Sequence, residues 1–197
     1  MLKIDYLNNN SDTSIVQMDT VIGKQGDKCI LTIHFVNTSF MLAFLREHND
    51  AQSVIDIFNN LQKELTIDKF KELFPLILTD NGSEFSNPTE IEFDMKTGEL
   101  RTQIFYCHPS SPFEKGSCEV NHELLRRILP KGISFNNLNQ EDINLIMSHI
   151  NSYKRKKLNN ESPYSIFSKL YGEDTINKLG IIEIEPNEVS LSRSFKR

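Results

Sequence analysis

An α/β fold, one mixed sheet with helices packed on its faces, is the class this sequence predicts. Three observations carry it. The chain begins with three β-rich stretches separated by short links: "SIVQMDTVIG" (14–23), "CILTIHFVN" (29–37) and "FMLAFLRE" (40–47). Helical periodicity then leads into "LILT" (76–79), a strand that is short and wholly apolar, as strands covered on both faces are. A fifth β stretch, "TQIFYC" (102–107), is followed only by helical patterns, so the order is β-β-β-α-β-(α)-β-α-α.

Taken in turn, the first three strands form an antiparallel meander, with "GKQGDK" turning the first into the second. Asp50 caps a helix that starts at Ala51, with Val54, Ile57, Phe58 and Leu61 as its buried stripe. A further turn or two, "IDKFKELF", brings the chain to Pro75 and the fourth strand. A right-handed crossover through the 51–65 helix makes strands one and four parallel neighbours. The sheet is then five-stranded, three antiparallel strands followed by two parallel ones. "PTEIEFDM" is a short helix and "MKTGEL" a turn. In "SCEVNHELLRRILPKG", Val120, Leu124, Leu125, Ile128 and Leu129 make a helical stripe that stops before Pro130. Residues 140–153 are amphipathic, and "SPYSIFSKLYG" and "EDTINKLG" are short helices ended by glycine.

At 197 residues the chain has room for one domain and a small added element, and 38% apolar residues with 13 Phe suffice for a core. No apolar run approaches the roughly 18 residues of a membrane span, and "MLKIDYLNNNSD" lacks a signal peptide's apolar region. Cys29, Cys107 and Cys118 are an odd, scattered set, which argues against zinc or disulfides and suits a reducing cytoplasm. The net charge of −5 speaks against a nucleic-acid binder, yet the cations cluster at 124–132, 153–157 and 192–197. Solvated helix ends and nucleic-acid contacts are both open readings of those clusters.

Three acids occupy distinctive places. Asp19 lies in mid-strand, which is costly unless it faces water or a partner. Asp80 ends the apolar fourth strand, where Asp-Asn-Gly is either a tight turn or the end of a strand that presents a carboxylate. Glu119 opens the helix after the fifth strand, either as a helix-dipole carboxylate or as a ligand. If strands one and four adjoin, Asp19 and Asp80 lie side by side. Three close carboxylates need a cation, and their hard oxygens select Mg²⁺ or Mn²⁺. Two such ions, roughly 3.5–4 Å apart, serve in-line phosphoryl displacement.

The stretches "VQMDTVIGK", "LTDNGSEF", "FEKGSCEVNHELLRRILPKG" and "LNNESPYSIF" resemble the integrase catalytic core of bacterial insertion-sequence transposases, nearest to the insertion-sequence family numbered thirty. The likeness runs from about residue 14 to 170. It implies a DDE-class polynucleotidyl transferase of ribonuclease-H-like fold, with Asp19, Asp80 and Glu119 as the catalytic, metal-binding triad for two Mg²⁺ or Mn²⁺ ions. It also implies cleavage and strand transfer of DNA, both transposon ends and target as partners, a homo-oligomer and a bacterial cytoplasmic location. Asn81 and Gly82 would turn the chain so that Asp80 faces the metals. The domain division that follows is 1–13 as a loose segment, 14–170 as the core and 171–197 as a short helical extension and tail.

The chain also departs from the family pattern. Between Asp80 and Glu119 lie 38 residues, a slight excess assigned to a hairpin-like "DMKTGELRTQ". Glu114 stands where the family usually has Gln, and Val120-Asn121-His122-Glu123 replaces an Asn-richer stretch. The family's N-terminal helix-turn-helix region is missing, so a truncated chain, a fragment or a degraded element is expected. Lys115, Arg126 and Lys131 are the expected phosphate contacts, with helix-surface charge as the alternative. His108 and His122 are supporting candidates near the triad, and Thr20 and Ser83 flank acids they can orient. Cys118 has no base partner to make it a nucleophile. Two other functions stay open: a non-catalytic DNA- or protein-binding remnant, and a phospho-acceptor domain built on Asp80. The second wants a strictly parallel sheet, which the meander does not supply.

Overall fold

A computed structural model describes residues 13–94, 96–107 and 119–192. Its strands are β1 (Ile15–Ile22), β2 (Cys29–Phe35), β3 (Phe40–Arg46), β4 (Leu76–Thr79) and β5 (Ile104–Tyr106), in the order β3-β2-β1-β4-β5. β1 pairs antiparallel with β2, and β2 with β3. β1 and β4 pair in parallel, as do β4 and β5. This is the expected mixed sheet, and the chain reaches β4 by the expected crossover. β2 and β4 are buried along their whole length, and both lie inside the sheet.

The helices are α1 (Ala51–Glu64), α2 (Ile67–Leu73), α3 (Pro88–Glu92), α4 (Glu119–Ile128), α5 (Gln140–Ser152), α6 (Pro163–Tyr171) and α7 (Glu173–Lys178). Local chemistry fixes where they start. Asp50 accepts from the Ser53 amide at 2.8 Å, and Asn139 and Asp142 form a reciprocal capping box at the start of α5. The α1 stripe is Val54, Ile55, Phe58 and Leu61; Ile55, not Ile57, is the fully buried member. In α4 the stripe is also shifted. Val120 is 41% exposed and Asn121 is wholly buried, because Asn121 finds polar partners inside. Its amide nitrogen donates to His34 Nδ1 at 2.8 Å and to the Ser39 carbonyl at 2.9 Å.

Phenylalanines fill the core on one side of the sheet. Phe167 of α6 stacks on Phe40 at 4.2 Å between ring centres and meets Phe35 edge-on at 5.0 Å. Phe74 bridges Phe35 to Phe58 and Phe70, so α1, α2 and α6 share one aromatic cluster. The segment after α3 folds back as expected: Phe93 and Leu100 form an antiparallel bridge. Arg101 pins it to α1 by bonds to Asn59 and Gln62 and lies 5.3 Å over the Phe70 ring. Residues after α7 run along α5, where the Ile182 and Ile184 amides donate to Ser148 and Ser152.

Candidate active site

The parallel pairing of β1 with β4 ends with Gln17 opposite Leu78. Two residues further along both strands stand Asp19 and Asp80, on the same face as that pair because side chains alternate. The Thr79 hydroxyl donates to the Met18 carbonyl at 3.2 Å, which holds the two strand ends together at this point. Asp19 is half-buried and Asp80 exposed, so the acids open to solvent at the carboxyl end of the central strands.

Asp80 is oriented by its own turn. Its Oδ1 accepts from the Gly82 amide at 3.1 Å, and the Asn81 side chain donates to the Cys107 carbonyl beyond β5 at 3.4 Å. Asn81 and Gly82 form the turn that follows Asp80. The turn packs closely: a Cβ at 82 would lie 2.5 Å from Glu84 Oε2 and 3.2 Å from Asp80 Oδ1, so those two side chains would have to move to admit one. Sequence reasoning missed Glu84, which is only 8% exposed and crowds the same spot as Asp80. The signal was an acid inside "DNGSEF", directly before a buried Phe85. Arg46, 3% exposed, lies within electrostatic reach of Glu84. Burial pulls the Arg46 guanidinium below its ordinary pKa, and Cys29 and the surrounding acids resist that shift.

Asp19 is held from three directions. Its Oδ1 accepts from the Thr20 amide at 3.0 Å, and its Oδ2 lies 3.7 Å from His122 Nδ1. Thr32, opposite Asp19 in the sheet, donates its hydroxyl to the Asp19 carbonyl at 3.1 Å. His122 Nε2 is 2.9 Å from the same hydroxyl. The Thr20 amide holds Asp19, and the Thr20 hydroxyl accepts from Arg46 at 2.9 Å. Ser83 is exposed at the start of the single helical turn after Gly82.

Glu119 is the first residue of α4 and is exposed. His122 comes one helical turn later, so Glu119 and His122 share a face and the start of α4 stands over Asp19. Among the described residues, no three His, Cys, Asp or Glu side chains close into a ready metal cage. The donors themselves are all carboxylate oxygens, the set a hard divalent ion takes. Arg126 points back to the sheet: its Nη2 donates to the Ile22 carbonyl at the end of β1 at 3.0 Å. Burial lowers its pKa, and its Nη1 is buried with no hydrogen-bond partner among the described residues. Lys131 is exposed in the loop after α4. His108, Glu114, Lys115 and Cys118 lie outside the described residues.

No protein-family model matches the chain. Among curated proteins it is 28% identical over 161 residues to the transposase for insertion sequence element IS4351 of Bacteroides fragilis, covering 82% of this chain and 46% of that one. It is 31% identical over 156 residues to a putative integrase, ORF3, of Spiroplasma virus SpV1-R8A2 B, covering 79% of this chain and 46% of that one. The chain is thus similar in sequence to insertion-sequence transposases. Transposase InsI of element IS30A from Escherichia coli K12 is another such relative, 28% identical over 52% of this chain and 26% of its own length. The chain spans less than half the length of these proteins. Its fold is that of an integrase catalytic core. The core domain of BIV integrase superposes with a TM-score of 0.56, covering 79% of this chain and 94% of that one at 18% identity.

Proposed function

We propose that this chain is the catalytic core of a DDE transposase, of a kind nearest to the insertion-sequence family numbered thirty, which cleaves DNA at transposon ends and joins it to target DNA. The observation that carries the reading is the β1–β4 register. It sets Asp19 beside Asp80 at one end of the sheet, with the first turn of α4, from Glu119 to His122, over Asp19. The kinship to transposases and the integrase-core fold supply the reaction class. In this reading the core runs over 14–170 and the chain works as a homo-oligomer on DNA in the bacterial cytoplasm.

Asp19, Asp80 and Glu119 would hold Mg²⁺ or Mn²⁺, in keeping with the oxygen-only donor set. A bound pair of ions activates the attacking oxygen and offsets charge on the transferring phosphoryl group. The protein's own part is positioning. The Asx turn at Gly82 fixes the Asp80 carboxylate, and the Thr32–His122 pair fixes Asp19 from above. Lys115, Lys131 and the Nη1 end of Arg126 are the candidates for phosphate contact.

The test is an oligonucleotide cleavage and joining assay in Mg²⁺ and in Mn²⁺. Alanine at Asp19, Asp80 or Glu119 is expected to reduce both steps to background with the fold intact. An Asp80→Ala protein cutting at the unmodified chain's rate would end the catalytic reading. A second reading, a DNA-binding remnant without chemistry, is favoured by the open arrangement of the described acids, which form no ready cage. Stabilisation of the fold by Mn²⁺ separates the two.

A further inference from the structure

Beyond the acids, α4 borders a second feature. A groove of about 310 Å³ runs between α4 and the segment that follows α5, lined by Val120, Tyr153, Lys154, Arg155, Lys156 and Lys157, with Glu123, Leu124 and Arg127 closing its α4 side. Its cations stand out against a chain whose net charge is −5. Arg127 is engaged with Glu123 at 2.7 Å, whereas Lys154, Lys156 and Lys157 present their cations to the groove with no carboxylate paired to them among the described residues. Tyr153 is 44% exposed, an aromatic ring standing in a wall of positive charge.

The decisive residue is Arg155. It is only 6% exposed and lines the groove, and its Nε and Nη1 have no hydrogen-bond partner among the described residues. Its Nη2 alone is engaged, with the Ile150 carbonyl at 3.2 Å. A buried guanidinium with idle donors is costly unless an anion completes it. His34 feels the charges of Arg155 and Lys157 and is itself held neutral, and no carboxylate forms an ion pair with Arg155 among the described residues. The groove also begins at Val120, the residue after Glu119.

We infer that this groove binds a single strand of DNA, with one phosphate on Arg155, neighbouring phosphates on Lys154, Lys156 and Lys157, and an unstacked base against Tyr153. Cations tracking a backbone beside an exposed aromatic are the elements of a single-strand site. The inference rests on the transposase reading for its choice of nucleic acid. It places the strand so that the backbone leaves the groove at Glu119, beside the proposed triad.

The experiment is fluorescence anisotropy with the full chain and a labelled oligonucleotide, single-stranded or duplex, in EDTA so that no cutting occurs. Lys154→Glu/Lys156→Glu/Lys157→Glu is expected to weaken single-strand binding at least about tenfold. The log–log slope against salt should fall by about 2, the counterion release of three phosphate contacts. Tyr153→Ala is expected to weaken the single strand about tenfold and the duplex much less, in line with loss of one stacked base. Arg155→Ala tests the central contact, and the three surface lysines keep the test valid should that variant not fold. A charge-matched control, Lys63→Glu/Lys96→Glu/Lys178→Glu, should change little. Unchanged affinity and salt slope in the groove variant overturn the inference, as does an equal loss in the control. Equal loss of single strand and duplex in Tyr153→Ala overturns the single-strand assignment. Since no step requires catalysis, a groove that binds in a chain that never cuts would refute the proposed function and leave this inference standing.

Discussion

His34 shows how one side chain links burial to pH. It is 1% exposed on β2, and burial, then the charges of Arg155, His122 and Lys157, lower its pKa to about 3. The unfolded chain has an ordinary histidine near 6.5. Between those values the unfolded state binds a proton that the folded state refuses, so stability falls as pH drops from about 6.5 towards 3. The slope from this one group is on the order of 1.4 kcal/mol per pH unit. Urea unfolding of the chain and of His34→Asn at pH 7 and pH 5 should therefore give different losses, the variant losing less. Equal losses would mean that His34 is not the titrating group. Its partner Asn121 is the companion case. Alanine there strips a buried donor from both His34 and the Ser39 carbonyl, a loss of about 1–3 kcal/mol on the scale of unsatisfied buried groups. Neither role was legible in the sequence. A stripe read from the spacing of Leu124 and Ile128 admits both Val120 and Asn121, and hydropathy favours the valine. What decides is whether polar groups wait in the interior, which only the fold reveals. The electrostatic proximity of Glu84 and Arg46 was hidden for the same reason, since the two are distant in sequence and each reads as a surface charge.

At the level of elements, strand and helix positions were legible because each carried its own local signal. The fully apolar "LILT" announced a central strand, and Asp50 announced a helix start by its side-chain chemistry. The β1–β4 neighbourhood was also accessible, through the handedness of crossovers, and with it the adjacency of Asp19 and Asp80. Contacts between a turn and a distant loop were not. Gly23 reads as the start of a turn after β1, yet a Cβ there would lie 2.3 Å from the Ile133 carbonyl and 2.8 Å from the Phe135 ring. The Gly132 amide donates to the Gly23 carbonyl at 3.2 Å, so the loop after α4 is laid directly on the end of β1. Gly23→Ala must push that loop away, and a loss of about 1–3 kcal/mol is expected, as for other overpacked sites. Thermal unfolding measures it. An unchanged midpoint would show that the loop yields freely and does not brace α4 against the sheet.

For the molecule as a whole, the sheet brings together acids that the sequence keeps far apart, and this has a thermodynamic signature independent of catalysis. An ion that binds the folded chain at Asp19, Asp80 and Glu119, and not the unfolded one, stabilises the fold by an amount set by its concentration over its dissociation constant. At a hundredfold excess over that constant the gain is about 2.7 kcal/mol. For a chain of this size each kcal/mol moves the midpoint by roughly 2–4 °C, so a rise of about 5–10 °C is expected in Mn²⁺. Asp80→Asn should abolish most of that rise. In EDTA the same variant should be no less stable than the parent, because it removes one of several negative charges gathered at one end of the sheet. A surface carboxylate such as Glu72, changed to Gln, supplies the control and should leave the rise intact. If Mn²⁺ raises the midpoint equally in the parent chain and in Asp80→Asn, the ion binds elsewhere. If it raises neither, the acids do not act together, and the remnant reading takes precedence over the enzyme.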